Sequence, residues 1–255
     1  WYMSSLPNTD DSRVIRSISD LVSLKAEIGF DCWFRGQSNA AFDLNPGVFR
    51  SLDFERAERQ MLDEFKHSAL SRSDVHPEDY WDWLVLAPHH GLPTRVLDWA
   101  ENPLQALFFA VSGVSSADVD AKLFVLKPRV LNRNAVGPQF SSPIVLREEN
   151  DVLTSYRPDR SSNSGAIPVA VAAANGFSRI VAQNGVFTLH PKPYVESSVE
   201  VFGSGICQDF IVPKDAKSEI KRELEFVCIN ESSSYPDLDH LGAYIRRNHS
   251  GNVRL

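Results

Sequence analysis

The chain has 255 residues, 43% hydrophobic and 23% charged. That is enough to bury a sizeable core as one large or two small domains, which excludes an isolated peptide or a chain disordered throughout. Its 26 Lys and Arg against 33 Asp and Glu leave a formal net charge of −7, which disfavours a broad nucleic-acid-binding surface or adhesion to anionic lipid while allowing a local basic pocket.

The cysteines Cys32, Cys207 and Cys228 are odd in number and far apart, with no CxxC pair. This spacing argues against a disulfide framework or a structural zinc site and favours a reducing, cytoplasmic setting. The longest apolar stretches, 104–111 and 167–174, fall short of the ~20 residues that span a bilayer, so no membrane association is expected. The first residues lack the basic start and apolar run of a secretory signal. Met3 in third place gives the expectation that Trp1 and Tyr2 are additions, and both are left out of the functional reading. Residues 1–16 read as a tail and 17–255 as one domain.

In chain order, 17–29 reads as a helix with a capping-box-like start at Ser17 and Asp20 and a stop at Gly29. Residues 31–35 form a short aromatic strand that opens into the polar turn 36–39, which puts Arg35 where strand meets loop. Residues 53–71 form a long amphipathic helix whose charged residues, Glu55, Arg56, Glu58 and Arg59, read as a solvated face. Residues 78–88 form a second helix carrying Tyr80, Trp81 and Trp83 as core candidates and ending at Pro88. Asn102 caps, and Pro103 starts, an almost wholly apolar helix to Val111.

The second half is strand-rich. Segments 122–127, 167–174, 179–182, 186–189 and 206–212 read as strands, and 213–225 and 237–248 as closing helices. Helices crowded into the first half and strands into the second predict an α+β domain on a mainly antiparallel or split sheet.

Common catalytic signatures are absent: there is no phosphate loop, GxSxG elbow, HExxH or spaced-glycine dinucleotide fingerprint. Polar and special residues gather instead at Trp33-Phe34-Arg35-Gly36-Gln37-Ser38 and along the run from His89 to Trp99. An Arg at the end of a buried strand, followed by Gly, is a fixed cation beside backbone that a ligand can approach closely. Its guanidinium suits bidentate phosphate or carboxylate binding. Two readings of Arg35 stay open, a ligand contact or an internal pair with Asp98, and Arg95 poses the same choice. His89 and His90 are candidates for proton exchange or ribose contact. As neighbours they point apart and have no carboxylate or Cys at ligand spacing, so no metal is expected. Trp33 and Trp99 read as core more than as plates around a base.

Phe34-Arg35-Gly36-Gln37, His90-Gly91-Leu92-Pro93-Thr94-Arg95-x-Leu97-Asp98-Trp99 and Asn102-Pro103-x-x-Ala106-Leu107-x-Phe109-Ala110 resemble the FRG domain family, named for its Phe-Arg-Gly. So do the later Gln183-x-Gly185-x-Phe187-Thr188 and Tyr235-Pro236-Asp237-Leu238-Asp239. The central run is long and irregular, so it is a specific signal, whereas Phe-Arg-Gly-Gln alone is weak. Ala100 stands where the family more often shows Thr.

The element order is also similar, more weakly, to the ADP-ribosyltransferase layout. That likeness implies NAD as substrate, with Arg35 holding phosphate, Thr94 supporting the nicotinamide ribose and the late strand carrying a catalytic Glu. Gln183 stands where that Glu belongs, and a neutral amide cannot supply negative charge to a developing cation. Glu196 and Glu200 lie downstream.

The resemblance thus implies a nucleotide site with Arg35, His90, Thr94, Asp98 and Gln183 as catalytic candidates and Arg35, Gly36, Gln37, Arg95 and Trp99 as binding candidates. It also implies an acceptor protein, nucleic acid or small molecule and a bacterial or phage defence or toxin setting. The alternatives are a non-catalytic module that recognises a nucleotide or a partner, and a purely structural network of Arg35, Arg95 and Asp98.

Overall fold

The computed structural model describes residues 13–29, 31–72, 77–113, 118–158, 167–174, 185–191, 199–235 and 237–250. The first helix, α1 (Ile18–Ile28), starts where the Ser17 side chain accepts from the Asp20 amide and stops at Gly29 with φ 89°. After it comes β1 (Trp33–Gln37), two residues beyond the predicted strand. The chain then runs through α2 (Leu52–Ala69), capped by Ser51, and α3 (Tyr80–Leu86), capped by the Asp79 carboxylate. Next are β2 (Val96–Ala100) and α4 (Pro103–Val111), the latter capped by Asn102 with proline in its first turn.

Beyond α4 lie β3 (Ala121–Leu126), α5 (Pro128–Val136), β4 (Ile144–Val145), α6 (Asp151–Thr154), β5 (Val169–Ala172) and β6 (Gly185–Leu189). The closing elements are β7 (Cys207–Val212), α7 (Lys217–Phe226), α8 (Glu231–Ser234) and α9 (Leu238–Ser250).

The seven strands form one sheet in the order β4-β5-β6-β2-β1-β3-β7. All pairings are antiparallel except β4 with β5, which makes the fold α+β. The sequence carries β2 only as part of a motif and does not mark α5, while the expected strand 179–182 lies outside the described residues. No described helix is long and apolar enough to cross a membrane.

Register places Phe34, Val96, Ala100, Val125 and Phe187 on one face of the sheet. There α1, α4 and α7 cover one apolar cluster, and α2 and α3 cover a second. Trp33, Leu97, Trp99, Phe124 and Leu126 form a third cluster on the other face, under α5, whose Asn132 amide binds the Ala170 carbonyl. The three aromatics of α3 divide as expected for core residues: Trp81 and Trp83 are buried and Tyr80 packs at the edge of the same cluster. Cys32 and Cys207 are buried, and Cys228 is exposed. Burial raises the pKa of both buried thiols.

Candidate functional site

The centre of the sheet is where its hydrogen bonding fails. Along β1 and β3 five consecutive residue pairs are in register, but β1 and β2 pair only at Phe34 and Ala100. Past that point a split opens between the two strands. The Arg35 side chain enters it and donates from Nη1 to the Asp98 carbonyl oxygen at 2.7 Å and to Asp98 Oδ1 at 2.6 Å. It thereby occupies a backbone acceptor that a paired strand would have used.

Two cavities flank this contact. One, of about 140 Å³, is lined by Arg35, Gly36, Asp98, Trp99, Ala106 and Phe109, among others. The other, of about 190 Å³, is lined by Pro88, His89, Val96, Asp98, Phe109, Phe187 and Tyr235. Asp98 is the one carboxylate among the described residues that line either cavity.

The electrostatics of the pair are uneven. The Arg35 side chain is 15% exposed and that of Asp98 61%. Surrounding protein pushes the Asp98 pKa up, but the charge and hydrogen bond of Arg35, with a smaller contribution from His89, outweigh this and hold it below the usual carboxylate value. Asp98 is therefore ionised at neutral pH. Arg35 commits only Nη1 to it, and Arg35 Nε is buried without a hydrogen-bond partner among the described residues.

A buried polar chain lies on the sheet face that carries Leu97, Trp99 and Phe124. Trp99 Nε1 donates to Thr188 Oγ1 at 2.9 Å, and that hydroxyl is 2.9 Å from His190 Nε2. His190 is 0% exposed. Desolvation, reinforced by the charges of Arg35 and Arg95, lowers its pKa to about 3. A histidine depressed in the folded state stabilises fully above its unfolded pKa of ~6.5, and that stability is lost as pH falls towards the folded value. Urea unfolding between pH 7 and 4 is expected to show stability falling by up to ~1.4 kcal/mol per pH unit from this group. In a His190→Gln variant that component disappears; an unchanged slope would contradict the assignment. Asp98, also depressed, loses its contribution only below the ordinary carboxylate range, so the two effects separate.

The structure brings some sequence-derived candidates together and separates others. Arg35, Gly36, Asp98 and Trp99 share the first cavity. Arg95 lies apart from it, buried, with Nε and Nη2 on both carboxylate oxygens of Glu58 at 2.5–3.0 Å and Nη1 on the Tyr156 carbonyl at 2.8 Å. Glu58 is 2% exposed, so this residue corrects the expectation of a wholly solvated charged face on α2. Helical geometry accounts for it, because Glu58 shares the inner side of α2 with Leu62.

Gln37 is buried and donates to the Asp43 carbonyl at 3.1 Å. Thr94 is 2% exposed, and its hydroxyl has no partner among the described residues. His90 is exposed, with its ring 6.0 Å from that of Phe65. Its neighbour His89 lines the second cavity instead, as expected when two residues of one tight 3-10 turn diverge. Gln183 and Glu196 lie outside the described residues, and Glu200 is exposed on a 3-10 turn.

Tyr235 belongs to the site although the sequence does not mark it as a site residue. Tyr235 reaches the second cavity from the far end of the chain and packs edge-on to Phe109 at 5.7 Å. Its place in the closing Tyr-Pro-Asp-Leu-Asp run was the available signal. Among the described residues no group of three or more His, Cys, Asp or Glu side chains could hold a metal ion.

Residues 31–119 match the family model of the FRG domain. The match spans β1 to α4 and includes every candidate above except His190, Gln183, Glu196, Glu200 and Tyr235. No curated protein and no solved structure matches the chain.

Proposed function

We propose that this FRG-domain chain is an ADP-ribosyltransferase-like enzyme that binds NAD in the β1–β2 split. The observation that carries this reading is the Arg35 guanidinium, which lines a cleft beside the ionised carboxylate of Asp98. A phosphate of the dinucleotide engages the guanidinium. In the reaction the bond between nicotinamide nitrogen and ribose C1′ breaks, its electron pair leaves with nicotinamide, and positive charge grows on the ribose. An acceptor oxygen or nitrogen then bonds C1′ and releases its proton to water. Asp98 faces the growing cation, a role that needs a fixed negative charge more than a proton acceptor. Gln183 belongs to the acceptor side of this scheme, where an amide positions by hydrogen bonding.

A second reading is favoured by one observation. Asp98 already has its charge met by Arg35 at 2.6 Å, which suits a module that recognises a nucleotide without turning it over.

The test is incubation of the purified chain with adenine-labelled NAD and a cell lysate, following nicotinamide release and label transfer. Turnover is expected, and it should drop at least a hundredfold in Arg35→Ala at an unchanged melting temperature. Nucleotide binding without turnover sinks the transferase and leaves the recognition module.

A further inference from the structure

The outer side of α9 carries an apolar stripe. At 3.6 residues per turn, Leu238, Leu241, Gly242 and Ile245 fall within about 100° of one another around the helix. Leu238 is 83% exposed, Leu241 37% and Ile245 50%. The other side holds α9 to the domain. There the His240 ring stacks on that of Tyr235 at 4.1 Å, the Asn230 amide donates to the Tyr244 hydroxyl at 3.4 Å, and Arg247 donates to the Glu231 carboxylate at 2.5 Å. Gly242 is exposed in the middle of the stripe, in a helix interior where glycine is unfavourable. A Cβ at Gly242 would meet nothing within 4 Å, so packing within the chain does not require a glycine there. Asp239 and Arg246, two turns apart, line one edge of the stripe. Both are exposed, and neither has an ion-pair partner among the described residues.

We propose that this stripe is a self-association surface, on which α9 packs antiparallel against α9 of a second copy of the chain. The charges select both the occupant and the direction. A twofold axis near Gly242 brings Leu238 of one copy against Ile245 of the other and Asp239 of one copy against Arg246 of the other, each contact made twice. A parallel pair would instead set Asp239 beside Asp239 and Arg246 beside Arg246, which like-charge repulsion opposes. Glycine at the crossing point lets the two helix backbones approach closely. A single helix pair lies at the small end of specific interfaces, so a reversible dimer with a Kd on the order of 10 µM is expected. This surface does not depend on the nucleotide reading.

The test is sedimentation equilibrium of the full chain from about 1 to 300 µM, with melting temperatures recorded for each variant. The wild type is expected to pass from monomer to dimer, and Ile245→Glu to raise the Kd at least tenfold. Asp239→Arg and Arg246→Asp each place like charges together and should weaken the dimer, whereas the double change Asp239→Arg with Arg246→Asp restores it. Gly242→Ala should keep or raise the melting temperature through better helix propensity and still weaken the dimer, a combination that a glycine kept for folding would not show. Because Asp239 and Arg246 are exposed, their reversals give the readout even if Ile245→Glu fails to fold.

A wild type that stays monomeric at the highest concentration overturns the proposal and leaves the stripe to a partner of different sequence. A dimer that none of these substitutions weakens forms through another surface and overturns it as well. Weakening by the single reversals without recovery in the double change overturns the antiparallel arrangement.

Discussion

An Arg95→Ala variant is expected to lose about 3–5 kcal/mol of stability, the usual consequence of removing one partner from a buried ion pair. The Arg95 side chain is 6% exposed and that of Glu58 2%, so water cannot replace the guanidinium and the carboxylate stays uncompensated. Three elements lose a common tie at once. Arg95 precedes β2, Glu58 belongs to α2, and the Tyr156 carbonyl that accepts from Arg95 at 2.8 Å follows α6. For a chain of this size the loss corresponds to roughly 6–20 °C in melting temperature, measurable by thermal scan with urea unfolding as a check. A loss under ~1 kcal/mol would show that the pair is not buried in solution. The double change Arg95→Met with Glu58→Leu removes both charges and is expected to recover most of the stability, because isosteric apolar replacement of a buried pair is often neutral.

Arg35 behaves differently for the same reason. Its partner Asp98 has a side chain 61% exposed, which water can solvate when the guanidinium is gone. Removing Arg35 therefore leaves no buried uncompensated charge, and Arg35→Ala is expected to lose less stability than Arg95→Ala. Motif arginines that look equivalent in sequence therefore separate by what surrounds their partners, one facing a buried carboxylate and the other an exposed one. A single structural network of Arg35, Arg95 and Asp98 does not form: Asp98 takes Arg35, and Arg95 takes a glutamate from a helix far upstream.

That upstream glutamate marks where sequence reasoning stops. Helical periodicity places Glu58 among charged neighbours, and only the tertiary arrival of β2 buries it. The helix caps at Ser17 and Asn102 and the α+β class follow from local chemistry and are legible, whereas the Asp79 cap of α3 is seen only in the structure. Helix α5 was not, because its Pro128 and Asn-rich sequence carry a weak pattern and its burial depends on Asn132 meeting the Ala170 carbonyl 38 positions on. For the site, the Arg35–Asp98 pair was one of two open readings. The choice of His89 over His90 depends on the pitch of one short turn, which no periodicity resolves.

The glycine of the Phe-Arg-Gly motif yields the second large expected effect. Gly36→Ala is expected to destabilise the chain by about 3 kcal/mol, at the upper end of ordinary overpacking, or roughly 6–12 °C in melting temperature. A Cβ at this position would lie 1.9 Å from the Ala106 carbonyl oxygen and 2.6 Å from the Ala110 nitrogen, both backbone atoms of α4. No side-chain rotation can relieve that clash. Gly36 is not among the positive-φ glycines, so its requirement is space and not backbone freedom. The close approach that sequence reasoning assigned to a ligand is made by α4. Because α4 also carries Phe109, which lines both cavities, the shift needed to admit a methyl group moves a wall of the site. On the nucleotide reading proposed above, binding is therefore expected to fall in Gly36→Ala even at temperatures where the variant is folded, whereas Arg95→Ala should bind normally once folded. Full binding by folded Gly36→Ala would mean that α4 can retreat without disturbing the split, and that the glycine serves packing alone.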